Sequence, residues 1–142
     1  VIETILVAMA LDRSAATDKV FQTLQQIQLQ PDAKVILAHI LLPPERQSEQ
    51  AADKPHFGAE ESPYREIEKQ LETYQQQLSC TSKIEIATGD PAEEIIRLAN
   101  IHQANLIIIG SRGLTGVKRI LEGSVSTQVV EDATCSVLVV KP

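Results

Sequence analysis

A chain of 142 residues that is 43% hydrophobic has material for one domain with a sizeable core. Its apolar runs fall well short of the roughly 18 residues a membrane span needs, and a formal net charge of −6 argues against a nucleic-acid partner. Two cysteines, Cys80 and Cys135, are too few for a disulfide framework and read as reduced thiols. The N-terminus has no basic region of the kind that opens a signal peptide, so the cytoplasm is the expected location.

Ile5-Leu6-Val7-Ala8 is a short continuous apolar run and predicts a first strand. A loop through Ala10-Leu11-Asp12 follows. A helix then starts near Ser14 or Ala15, with Ala16, Val20, Phe21, Leu24 and Ile27 at helical spacing and Pro31 beyond its stop. Val35–Leu42 predicts a second strand, apolar except for His39, which reads as a satisfied core histidine. From 43 to 62 the pattern fails among prolines and polar residues, and a long mobile connection is expected there. Ser62-Pro63 opens a second helix whose stripe is Tyr64, Ile67, Leu71, Tyr74 and Leu78. Lys83–Thr88 alternates as a shorter strand of edge character. Asp90-Pro91-Ala92-Glu93 supplies an N-cap, an N1 proline and a capping-box glutamate for a third helix running to about His102.

Leu106-Ile107-Ile108-Ile109 then reads as a strand buried on both faces. It leads into glycines at 110, 113, 116 and 123, after which Ser124 opens a fourth helix, as a cap for its first N–H groups, with Val125, Val129 and Val130 following. Val137–Val140 closes the chain as a fifth strand. A strand, a glycine loop and a helix N-terminus form a phosphate cradle, because helix-start N–H groups favour an anion. Turn formation alone is the other reading of these glycines. Arg112, Lys118 and Arg119 against Glu122 make the loop locally positive. The loop is neither a Walker A nor a dinucleotide fingerprint. Five strands alternating with four helices predict an α/β doubly wound parallel sheet with helices on both faces.

Gly110-x2-Gly113-x9-Gly123-Ser124, preceded by Leu106–Ile109 and followed by Cys135-Ser136-Val137-Leu138-Val139-Val140, resembles the ATP-binding motif of the universal stress protein family. The likeness runs over nearly the whole chain. It departs where Asn105 replaces the family's usual aspartate and Ser136 its frequent proline, and Met9-Ala10 reads as an insertion ahead of Asp12. The resemblance implies strand order 3-2-1-4-5, so the winding reverses between strands 1 and 4, where ligands of open α/β sheets bind. It also implies an adenine-nucleotide site. Ala10, Leu11 and Asp12 would lie on the strand 1 side and the Ile40 backbone at the adenine edge. Ile109, Gly110, Arg112, Gly113, Gly123, Ser124, Val125 and Ser126 would hold phosphates and ribose. Asp12 accepts from ribose hydroxyls, caps the first helix, or does both. ATP is the expected cofactor, with Mg²⁺ carried by the triphosphate and Asp12 helping through water. Arg112 suits distal phosphate oxygens.

The function this implies is a nucleotide-dependent switch in the stress response, read by an unknown protein partner. A slow ATP hydrolase or self-phosphorylating protein is the alternative, though neither a general base nor a second basic finger is evident. A flavodoxin-like carrier is disfavoured, since aromatic content is 3% without tryptophan and the site loops contain no aromatic residue. Family habit further implies a homodimer paired through Val137, Leu138, Val139 and Val140, whose apolar edge would otherwise be exposed.

Overall fold

The computed structural model describes residues 2–11, 16–43, 63–111 and 123–142. Asp12, Arg112, Gly113 and the connection expected to be mobile, from 44 onward, lie outside the described residues. Along the chain run β1 (Thr4–Ala8), α1 (Ala16–Gln25), β2 (Lys34–Leu41), α2 (Pro63–Gln75), β3 (Thr81–Thr88), α3 (Pro91–Ile101), β4 (Leu106–Gly110), α4 (Ser124–Asp132) and β5 (Ser136–Val140).

The strands form one parallel sheet in the order β3-β2-β1-β4-β5. The central strands are apolar apart from Thr4, Lys34 and His39, because both faces are covered. Ile5, Val7, Val35, Leu37 and Ile108 point to one face, where Val20, Phe21 and Leu24 of α1 and Leu71 of α2 pack on them. Leu6, Ala8, Ile36, Ala38, Ile107 and Ile109 point to the other, under Ala92, Ile95 and Leu98 of α3 and Val125 and Val129 of α4. The outer strands are covered less well. Ser136 and Leu138 of β5 alternate outward, with Leu138 37% exposed. Among the described residues no helix is long and apolar enough to cross a membrane.

Several element boundaries differ from expectation. β3 begins at Thr81, two residues early, because its polar start pairs along β2 from Lys34 onward. The α2 stripe is narrower than its spacing suggests: Leu71 is fully buried, but Tyr64 is 49% exposed and the helix ends before Leu78. Tyr74 works differently from a plain core residue. Its ring tilts against Phe21 with centroids 4.9 Å apart, and its hydroxyl donates to Asp18 Oδ1 at 2.6 Å, joining α2 to α1. Partial burial and that carboxylate push the phenol up to about 12.

Asn105, at the family's aspartate position, ties the first strand to the fourth. Its Oδ1 accepts from the N–H groups of Glu3 and Thr4 at 2.8 and 2.9 Å, and its own N–H donates to Thr4 O at 2.8 Å. An amide oxygen can accept both bonds as a carboxylate would. Cys80 and Cys135 are free thiols that pack against opposite faces of the sheet.

Candidate functional site

The carboxyl ends of β1 and β4 lie side by side at the centre of the sheet, and the chain leaves each in a different direction. On the β1 side, the Met9 N–H donates to Ala38 O at 2.8 Å, and the Met9 carbonyl accepts from His39 Nδ1 at 2.6 Å. Since a carbonyl only accepts, Nδ1 carries the proton. Burial lowers the His39 pKa, so the ring is neutral at physiological pH, as a satisfied core histidine should be. Leu11 then takes a left-handed φ of 59°, and its N–H donates to the buried hydroxyl of Thr17 at 3.0 Å. That conformation costs a branched residue about 1–2 kcal/mol.

On the β4 side, Gly110 pairs with Val140, and the Ser111 N–H donates to Val140 O at 3.0 Å. The chain returns at Gly123, which is the N-cap of α4 with a left-handed φ of 83°. A Cβ on Gly123 would stand 3.7 Å from the Ser111 carbonyl, an ordinary contact. Glycine is therefore required here by conformation and not by lack of room. The contact also shows that the two ends of the glycine loop meet.

Ser124 was expected to cap this helix, but it is the exposed first helical residue. The N-cap residue Gly123 provides no side-chain cap, and the first turn of α4 holds no acidic residue. The serine that turns back is Ser126, whose Oγ donates to Gly123 O at 3.0 Å. Among the described residues, the first turn of α4 carries no carboxylate to neutralise the positive end of the helix.

Ala10, Leu11, Ile40, Ile109, Gly110, Gly123, Ser124, Val125 and Ser126 all belong to the carboxyl end of the sheet or to the α4 start facing it. The side chains of Ile40, Ile109 and Val125 are buried in the core, which leaves their backbone to do any binding. The Leu41 carbonyl bonds towards β3 and the Ala38 carbonyl towards β1, so strand alternation turns the Ile40 backbone towards β1, past that strand's last paired residue. Among the described residues no group of three His, Cys, Asp or Glu could hold a metal. Sequence reasoning missed Thr17 and the reach of His39; a threonine in the first turn of a helix is a local signal that could have found the former. His102 pairs with Glu85 through Nε2 and Oε2 at 2.5 Å, at the other end of α3 from the crevice.

Residues 2–141 match the model of the Universal stress protein family. The chain belongs to that family. Universal stress protein MJ0531 of Methanocaldococcus jannaschii is 49% identical over 57 residues, which is 40% of this chain and 34% of that protein. The aligned stretches span about a third of the curated relatives' length. The solved structure of MJ0577, from the same organism, superposes with a TM-score of 0.78 at 27% identity, covering 99% of this chain and 96% of that one. A family protein from Arabidopsis thaliana, solved with AMP bound, superposes with a TM-score of 0.66 at 22% identity, covering 98% and 91%. That likeness is one of fold.

Proposed function

We propose that this universal stress protein binds an adenine nucleotide in the crevice between β1 and β4 and acts as a nucleotide-dependent switch in the cytoplasm. The observation that carries the reading is the start of α4, which opens from a left-handed Gly123 beside the Ser111 carbonyl at the end of β4, with no acidic residue in its first turn. An anionic ligand supplies the charge this helix end lacks. The AMP-bound relative supports the adenine class. In this reading the N–H groups of Ser124, Val125 and Ser126 meet phosphate, the Ile40 backbone meets the adenine edge, and Ala10 and Leu11 flank the ribose. ATP is the preferred ligand. Mg²⁺ would ride on its phosphates, neutralising charge, with Asp12 and Arg112 completing the set.

The chain acts as a single domain and pairs with a second copy through β5, whose outward Leu138 is exposed. Light scattering at micromolar concentration should give a dimer mass that Val139→Pro reduces to a monomer.

Calorimetric titration with Mg-ATP, AMP and cAMP, with chromatography of any nucleotide released from purified protein, tests the ligand. Saturable binding, tightest for Mg-ATP, is expected. No heat with any of the three, and no nucleotide carried through purification, would end the reading.

A further inference from the structure

We infer that His39 and Thr17 are positioning residues of the nucleotide site, holding the Met9–Leu11 turn in its binding form before any ligand arrives; this rests on the binding function proposed above. The turn is not one its own residues would choose, because Leu11 sits at φ 59°, a region that branched side chains avoid. Two side chains from elsewhere hold it. His39 Nδ1 takes the Met9 carbonyl at 2.6 Å, and the Thr17 hydroxyl takes the Leu11 N–H at 3.0 Å.

Neither residue is where packing alone would put a polar group. His39 continues the β2 face on which Val35 and Leu37 are core, and Thr17 shares its helix face with Val20, Phe21 and Leu24. Thr17 is only 3% exposed. An apolar side chain of similar size would pack at either position. Thr17 is buried and His39 half-buried; a polar group so placed is unfavourable unless it is bonded, and a bond from each ends on the same short turn. Burial also keeps the imidazole neutral, so its single ring proton stays committed to Met9. Fixing a loop in its bound form before binding removes the ordering cost from the binding step.

The test titrates Mg-ATP into the full chain as wild type, His39→Leu, Thr17→Val, His39→Asn and Thr17→Ser. The first two variants remove a bond but keep bulk, and each should weaken binding by about tenfold. Asparagine and serine can still bond to Met9 and Leu11 and should stay within about threefold of wild type. Equal affinity for wild type and both apolar variants would overturn this inference and leave the binding function standing. A wild type that binds nothing overturns the binding function itself. Amide exchange of ligand-free wild type covers the case in which an apolar variant fails to fold. The Leu11 amide should exchange as slowly as those of β1, and fast exchange would refute a turn held in advance.

Discussion

Helices α3 and α4 pack together on the same face of the sheet, and they begin in opposite ways. α3 is complete in itself. Asp90 takes the Glu93 N–H at 3.1 Å, Pro91 fills the first position, and Glu93 and Glu94 put negative charge at the positive end. α4 starts from a left-handed glycine with no side-chain cap and no acidic residue in its first turn. In the function proposed above, the difference marks where a ligand belongs. A helix end already supplied with carboxylates has nothing to gain from an anion. One left bare beside the sheet's switch point does.

The largest expected effect comes from removing the open end. Gly123→Val forces a β-branched residue into φ 83°, so α4 must start elsewhere. Nucleotide binding should vanish in calorimetry, with a stability loss of about 1–3 kcal/mol in denaturant melts. Gly123→Asn is the matched control, since asparagine tolerates that conformation, and it should keep most of the affinity. Full binding by the valine variant would break the comparison.

The next test turns α4 into a copy of α3. Ser124→Glu places a carboxylate in the first turn, which should stabilise the ligand-free protein by about 0.3–1 kcal/mol. It should also weaken Mg-ATP by about tenfold through like-charge repulsion. An increase in affinity would contradict the reading of α4 as an anion site.

The smallest effect is the converse. Asp90→Ala removes the α3 cap and should cost about 0.5–2 kcal/mol of stability by chemical melt. Nucleotide affinity should stay unchanged, because none of the residues proposed to hold the nucleotide belongs to α3. A loss of binding equal to that of Gly123→Val would show that the two helix starts are not independent.

The α3 cap could be read from the sequence because all its parts lie within four residues. The apolar strands announced a sheet covered on both sides, while most of the glycine loop lies outside the described residues. The strand order came through family resemblance, since no local pattern encodes which strand neighbours which. Ser124 was misjudged as a cap because serine favours that position in general, whereas only Gly123 can hold the left-handed turn found there. The bonds from His39 to Met9, His102 to Glu85, and Asn105 to Glu3 and Thr4 join residues that become neighbours only once the sheet exists. The Tyr74–Asp18 bond spans 56 positions and was hidden inside what looked like an ordinary apolar stripe.

The Asn105 clamp bears on how the molecule assembles. β1 and β2 join residues about 30 positions apart, Thr4 opposite Lys34, and β4 and β5 join Leu106 to Ser136 over a similar distance. Asn105 reaches back 101 and 102 positions. Closing that longer loop costs about 1 kcal/mol more in chain entropy than either shorter one. The β1–β4 seam is thus the long-range step that joins two locally formed halves. A ligand bound across it would engage contacts made late in folding, and would slow unfolding more than it speeds folding.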